Sequence, residues 1–382
     1  MRYKIKHLFL CLLVFLHCSS ANESLKVGAE RTNKYFPLLK DKAVGVVGNQ
    51  SSLISTSHLV DSLLSANIQV LKVFSPEHGF RGTADAGAHI ESGIDKQTGL
   101  PIISLYGINK KPSPSQLEGL EILVFDIQDV GARFYTYIST LHYVMEAAAE
   151  NNIPLIVLDR PNPNGHYIDG PILDTSYSSF VGMHPVPIVH GMTIGEYTQM
   201  INGERWLKDS VECDLTVIPM LGYNKQIQYD LPVKPSPNLP NAQAVNLYPS
   251  LCLFEGTSVS VGRGTDLPFQ HFGAPFIDGD YSFVPESGAG AKNPKYEGER
   301  CYGQDLSQFA KLSQLDLSFL IDAYKACQKK EDFFNAFFDK LAGGNTLRLS
   351  IIEGKSIKDI RQSWSKELLE FDQMRKAYLI YQ

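Results

Sequence analysis

The glycine-rich signatures of the common α/β enzymes are missing from this chain. The first apolar run ends Gly45-Val46-Val47-Gly48-Asn49-Gln50. A dinucleotide fingerprint needs G-x-G-x-x-G at such a turn so that backbone can approach a pyrophosphate, and the spacing here is wrong. No P-loop lysine follows either. No G-x-S-x-G occurs, which removes the nucleophile elbow of an α/β-hydrolase. No H-E-x-x-H pair marks a zinc helix. Cysteine is scarce, 6 in 382 residues, with no C-x-x-C, so a zinc ribbon or thioredoxin-like centre is excluded. There is no Lys/Arg run of the kind that tracks phosphates, and the net charge of -6 argues against a nucleic-acid partner. No apolar run reaches the roughly 18 residues of a membrane helix, so no integral span is expected. Neither a cofactor nor a metal is called for.

What is present begins with a leader. Arg2, Lys4 and Lys6 precede the apolar stretch Leu8–Leu16, and Cys18-Ser19-Ser20-Ala21 follows. This pattern reads as a signal peptide over residues 1–21, cleaved after Ala21. A second reading makes Cys18 the acylated residue of a lipid anchor, although His17 stands where a small residue is expected. Either way the protein is exported, to the periplasm, the outer membrane or the medium. Four cysteines then remain, Cys213, Cys252, Cys301 and Cys327. They are read as buried thiols with at most one bridge.

The remainder is an ordinary globular composition, 43% hydrophobic and 20% charged. Short β-branched runs recur at Ala43–Val47, Val70–Phe74, Ile102–Leu105, Ile122–Ile127, Leu155–Leu158, Val186–Val189 and Leu215–Ile218. Helical patterns lie between several of them, at His58–Ala66, Ser115–Leu120, Tyr137–Asn151 and Ile194–Asn202. Continuous apolar strands alternating with helices predict an α/β fold, a Rossmann-like, doubly wound, mostly parallel sheet. We assign it residues 24–234. Pro235-Ser236-Pro237-Asn238-Leu239-Pro240 cannot be a central strand and reads as a boundary loop. Residues 235–382 form a smaller α+β C-terminal domain, with helices expected at Leu247–Leu253, Leu315–Cys327, Asp332–Leu341 and Ser365–Tyr381 and a short strand at Ser258–Val261.

Several strands end in polar clusters. Ile122–Phe125 runs into Asp126-Ile127-Gln128-Asp129-Val130-Gly131-Ala132-Arg133-Phe134-Tyr135-Thr136-Tyr137. Acids for chemistry, an arginine for an anion and tyrosine rings for stacking suit a sugar-acid site. The same charges would also suit a structural ion-pair knot. Val70–Phe74 is followed by Ser75-Pro76-Glu77-His78-Gly79-Phe80-Arg81, and the loop stays small and polar through Asp85, His89 and Glu91. A carboxyl held beside a histidine and an arginine can be tuned as an acid or base. Asp159-Arg160-Pro161-Asn162 and His190-Gly191 end two further runs, with a structural pair and a satisfied histidine as the plain alternatives. Glu255-Gly256-Thr257 and Gly262-Arg263-Gly264-Thr265 flank Ser258–Val261, leaving Arg263 accessible to an anion. In a parallel sheet the carboxyl ends of all strands share one edge, so Glu77, Asp126, Arg133, Asp159 and His190 are expected in one cleft, with Arg263 opposite.

Together these stretches resemble the NamZ-like exo-β-N-acetylmuramidase family. The matching pieces are Ser75–Gly79, Asp126–Tyr137, Asp159–Pro163, His190–Glu196, Pro235–Asn238 and Gly262–Thr265, in the expected order. The resemblance implies a Rossmann-like catalytic domain whose cleft is completed by the C-terminal domain. It implies an exo-acting glycoside hydrolase that takes N-acetylmuramic acid from the non-reducing end of peptidoglycan fragments, muropeptides or disaccharide pieces. On that reading Glu77 is the general acid/base, tuned by His78. Asp126 or Asp129 is the partner carboxylate, or orients the acetamido group. Arg133 or Arg263 pairs with the lactyl carboxylate. Tyr135, Tyr137, Asp159, Arg160, Asn162, His190, Glu255 and Thr265 complete the sugar site. Two other readings are a non-catalytic peptidoglycan-binding protein and a metal-dependent hydrolase of esters or amides, with Glu77, His78, His89 and Asp126 as its ligands.

Overall fold

A computed structural model describes residues 24–77, 79–81 and 93–381. The expected leader, Cys18, His78, Asp85, His89 and Glu91 lie outside them. The strands are β1 (Val44–Gly48), β2 (Leu53–Ile54), β3 (Ser57–His58), β4 (Val70–Ser75), β5 (Gly93–Ile94), β6 (Pro101–Ser104), β7 (Ile122–Asp126), β8 (Leu155–Leu158), β9 (Leu215–Ile218), β10 (His271–Ala274), β11 (Tyr281–Phe283) and β12 (Cys301–Asp305). The helices are α1 (Thr32–Leu39), α2 (Leu59–Ser65), α3 (Pro114–Leu117), α4 (Tyr137–Glu150), α5 (Ile194–Gly203), α6 (Ala242–Leu251), α7 (Ser318–Ala326), α8 (Phe338–Ala342), α9 (Thr346–Ile352) and α10 (Ile357–Arg375).

The main sheet has the order β5-β6-β4-β1-β7-β8-β9. Its pairs are parallel except for the edge strand β5. Both faces are covered, as continuous apolar strands require. Val44, Val46, Val73 and Val124 face a core shared with Tyr35 and Leu39 of α1 and Leu59 and Leu63 of α2. Val47, Phe74, Leu123 and Phe125 face a larger core shared with α4, α5 and the C-terminal helices. The strand order reverses between β1 and β7. At such a switch point a crevice opens outside the carboxyl ends of the strands.

α5 begins with a capping box. Thr193 Oγ1 accepts the Glu196 N–H at 3.2 Å, and the Glu196 carboxylate accepts the Thr193 N–H at 2.9 Å. Inside that turn Gly195 has no room for a side chain, since a Cβ would lie 2.7 Å from Asp159 Cγ. The expected strand Val186–Val189 is absent and only Val189 makes isolated bridges. Pro185 and Pro187 remove two ladder donors, and the carbonyls of Val186 and Ile188 serve Arg133 instead. Ser258–Val261 likewise makes only single bridges. The expected helix Asp332–Leu341 is interrupted, and its regular turns begin at Phe338.

The C-terminal part carries an antiparallel sheet of order β10-β12-β11. It packs onto the larger core without a break. The last helix folds back so that the Tyr381 hydroxyl donates to Asp159 at 2.7 Å. The four cysteines are buried and free.

Candidate active site

Pro76 cannot continue the ladder after β4, so the chain turns and presents Glu77 just past the strand end. Glu77 lines two adjoining cavities. The larger, ≈ 500 Å³, is walled by Glu255, Val259, Ser260, Arg263 and the loop Gly290–Lys295. The smaller, ≈ 90 Å³, is walled by Phe134, Tyr135, Tyr137, Ser236, Asn238, Leu239, Tyr248 and Phe269. Arg263 also lines both, so Glu77 and Arg263 mark the junction. The Tyr106 hydroxyl beside Glu77 is pushed up to about 12, by burial first and by the Glu77 charge and hydrogen bond second.

Arg263 is held in place rather than consumed. Its Nε donates to Glu255 Oε1 at 3.0 Å, and its guanidinium carbon lies 5.1 Å from the centre of the Phe269 ring. Burial would lower its pKa, but the Glu255 charge outweighs this and leaves it raised. The side chain is 32% exposed, and no described residue accepts from its two terminal nitrogens. Lys295, on the same wall, gives its ammonium to the carbonyls of Thr257 and Val259 and, more weakly, Phe254.

The Pro235–Pro240 loop is pinned by one carbonyl. Pro235 O accepts the hydroxyls of Tyr135 at 2.7 Å and Tyr137 at 3.3 Å, and the Gln50 amide at 3.4 Å. This fixes Ser236 and Asn238 in the wall of the smaller cavity. Asn238 Nδ2 donates to Gly290 O at 2.8 Å, tying this loop to the far wall of the larger one. Sequence reasoning read the loop as a domain boundary and matched Pro235–Asn238 to the family, but nominated none of Ser236, Asn238 and Tyr106 as site residues. Polar residues alternating with prolines were the available signal.

The other nominated groups are placed differently. Of the five expected to share a cleft, Glu77 lines it, while Asp126, Arg133, Asp159 and His190 are fully buried. Asp126 is bidentate with Arg160, at 2.6 and 2.8 Å. Arg133 donates to the carbonyls of Pro171, Val186 and Leu341, which closes it to a ligand anion. Asp159 accepts from Thr193, Gly195, Arg160 and Tyr381. Asn162 braces the turn by accepting the Asn164 N–H and donating to Met192 O. Thr265 Oγ1 bonds Gly262 O and His271. These groups form the scaffold beneath the cleft. Among the described residues no cluster of three or more His, Cys, Asp or Glu side chains is arranged to hold a metal.

Asp129 and His190 form a buried pair behind the tyrosines, 3.8 Å apart. His190 Nδ1 accepts the Met192 N–H at 3.3 Å, so the neutral ring carries its proton on Nε2, toward Asp129. Burial raises the Asp129 carboxyl to about 7. Burial, with the Lys225, Arg375 and Arg133 charges, lowers His190 from 6.5 to about 3. Between those two His190 values the unfolded chain binds a proton there that the folded one excludes. Its contribution to stability is therefore complete above about 6.5 and falls as pH drops toward 3, with a slope of about 1.4 kcal/mol per pH unit. Asp129 runs the opposite way, losing stability as pH rises from about 4 to 7. Replacing His190 with Gln isolates the first effect. Urea unfolding of wild type and His190→Gln from pH 4 to 6 should give free-energy curves that diverge by about 1.4 kcal/mol per unit. Parallel curves would remove the buried neutral histidine from the account.

A two-part cleft with acids, a tethered cation and aromatic walls is the candidate site for a polar substrate. Comparisons with known proteins give the chain its family. The family model "Exo-beta-N-acetylmuramidase NamZ, N-terminal" matches residues 44–243, and its C-terminal counterpart matches residues 246–381. The chain belongs to the NamZ exo-β-N-acetylmuramidase family and is a glycoside hydrolase. It is 41% identical to the peptidoglycan β-N-acetylmuramidase NamZ of Bacillus subtilis (strain 168), over 91% of this chain and 89% of that protein. Crystal structures of two DUF1343 family proteins from Bacteroides fragilis NCTC 9343 share the fold. One is 48% identical with a TM-score of 0.88, the other 29% identical with a TM-score of 0.81, and each comparison covers 94% of this chain and 99% of the other.

Proposed function

We propose that this hydrolase is exported and releases N-acetylmuramic acid from the non-reducing end of peptidoglycan fragments, with Glu77 as general acid/base. The observation that carries this is the position of Glu77 at the junction of two cavities, with Arg263 sharing that junction. A proton donor is needed at the glycosidic oxygen, and a strand-end carboxyl facing both cavities can reach it. The B. subtilis relative is named for action on peptidoglycan, and such glycans lie outside the cytoplasm. The leader over residues 1–21 suits that location, in the periplasm, at the outer membrane or beyond, with Cys18 as the anchoring residue if the leader is lipidated. No described helix is long and apolar enough to cross a membrane.

Arg263 is the cation for the lactyl carboxylate. Glu255 fixes its Nε, and the terminal nitrogens remain for a bidentate contact. A charge-assisted hydrogen bond contributes about 1.5–3 kcal/mol. The muramide should therefore be hydrolysed at least about tenfold faster than the N-acetylglucosaminide, which lacks the lactyl group. Arg263→Ala should erase most of that preference while sparing the glucosaminide rate. Equal rates on both glycosides in wild type would contradict the substrate assignment.

A further inference from the structure

The turn that carries Arg263 is braced from behind by a chain of hydrogen bonds. Gly262 and Gly264 flank Arg263, and both have positive φ, at 74° and 81°. The Thr265 N–H donates to Gly262 O at 3.1 Å and closes the turn. Glycine at the third position supplies the positive φ that such a turn requires. Glycine also has the most conformations to lose, so two of them leave the turn free to change shape. Glu255 fixes the far end of the Arg263 side chain, and Phe269 lies beneath it. The backbone needs its own restraint.

That restraint begins at the Thr265 hydroxyl. Its one proton goes to Gly262 O, at 2.7 Å. Thr265 Oγ1 also lies 3.0 Å from His271 Nε2. With its proton committed, Oγ1 can only accept there, so Nε2 is the donor. In the neutral ring Nδ1 is then an acceptor, and the Tyr281 hydroxyl donates to it at 2.6 Å. Each link has one polarity. The order runs from Tyr281 to His271 to Thr265 to Gly262, and it ends on the carbonyl that precedes Arg263.

His271 is itself held firmly. It opens β10, and Tyr281 opens β11. The ring is 2% exposed and stacks on Phe283, with centres 4.0 Å apart and planes 10° from parallel. Burial lowers its pKa to about 4 against the opposing charge of Asp305, so the ring is neutral near neutral pH. Its Nε2 sits so close to the turn that a Cβ on Gly262 would come within 2.0 Å of it. Neither His271 nor Tyr281 lines the cavities, whereas Arg263 lines both.

We propose that His271 is a positioning residue for Arg263. Through Thr265 it holds the Gly262–Thr265 turn in the shape that keeps the guanidinium at the junction of the two cavities. It thereby sets how strongly the enzyme favours a substrate that carries a carboxylate. This rests on the reading of Arg263 as the cation for that carboxylate.

The full-length enzyme and two chromogenic glycosides, the muramide and the N-acetylglucosaminide, provide the test. A wild-type preference for the muramide tests the Arg263 reading by itself, and its absence would overturn both. His271→Phe keeps the stacking on Phe283 and removes both ring nitrogens. It should raise KM for the muramide about three- to tenfold, the loss of a neutral hydrogen bond or two. Its kcat on the muramide, and both constants for the glucosaminide, should stay within about twofold of wild type. Thr265→Val breaks the chain one link further on and should raise the same KM more than Thr265→Ser, which keeps the hydroxyl. That pair carries the test if His271→Phe does not fold. With Arg263→Ala in place, His271→Phe should add less than about twofold, because both residues act through one contact. A wild-type enzyme that shows the preference, with folded variants that keep its KM for the muramide, would overturn the proposal alone. So would an equal rise in KM for both glycosides, or an undiminished effect of His271→Phe in the Arg263→Ala protein.

Discussion

Glu77→Gln is expected to lower turnover by about 10²–10⁴-fold while leaving affinity for N-acetylmuramic acid close to wild type. General acid–base catalysis contributes an effect of that size. The amide keeps the length and planarity of the carboxylate but cannot give up a proton to the leaving oxygen. Glu77 is partly exposed and lines both cavities, so the substitution leaves no buried charge uncompensated. The Tyr106 hydroxyl can still bond the amide oxygen. Binding should then survive, which separates loss of chemistry from loss of fold. Steady-state kinetics on the muramide, with calorimetric titration of the free sugar, reads both quantities. A variant retaining more than a third of wild-type activity would take Glu77 out of the proton-transfer role.

The sheet was legible because its strands are short, mostly apolar runs rich in Val, Ile and Leu, and six of the seven expected strands of the first part formed within a residue or two. The seventh failed where two prolines alternate with the apolar residues, a rule that overrides hydrophobicity. The C-terminal sheet had no comparable signal: β10 is His-Phe-Gly-Ala, β11 Tyr-Ser-Phe and β12 Cys-Tyr-Gly-Gln-Asp, none with a β-branched residue.

The candidate site was legible only in part. Polar residues at strand ends point to the edge of the sheet where the two cavities lie, and Glu77, Tyr135, Tyr137, Glu255 and Arg263 line them. What local sequence does not reveal is which charges are answered by distant partners. Arg133 meets the Leu341 carbonyl across 208 residues, and Asp159 meets the Tyr381 hydroxyl across 222. Those contacts turn two candidate ligands into scaffold. The histidine and glutamate of His190–Glu196 read similarly: Glu196 caps its own helix and pairs with Lys225 at 2.7 Å.

Asp126 is the case where the two readings of a strand-end acid predict different experiments. As a structural group it should be costly to remove and indifferent to chemistry. Both its carboxylate oxygens bond Arg160, and both side chains are almost wholly buried. Burial by itself would lower the Arg160 pKa, and the Asp126 charge and hydrogen bonds more than reverse that. Arg160 also donates to Leu53 O at 3.0 Å, and the Asp126 carbonyl accepts from Ser52, so the pair joins β7 to the segment after β1. Removing one partner of a buried pair leaves an uncompensated charge and costs about 3–5 kcal/mol. Asp126→Ala should therefore lower the urea unfolding free energy by about that amount. A double replacement, Asp126→Leu with Arg160→Met, removes both charges and should recover much of the loss, because apolar groups can fill such a site at little cost. Each variant that remains folded should turn over substrate within a few-fold of wild type per folded molecule. A small stability change in Asp126→Ala, below about 1 kcal/mol, would contradict the structural role. A stable Asp126→Ala protein with turnover as low as Glu77→Gln would return Asp126 to the chemistry as the partner carboxylate.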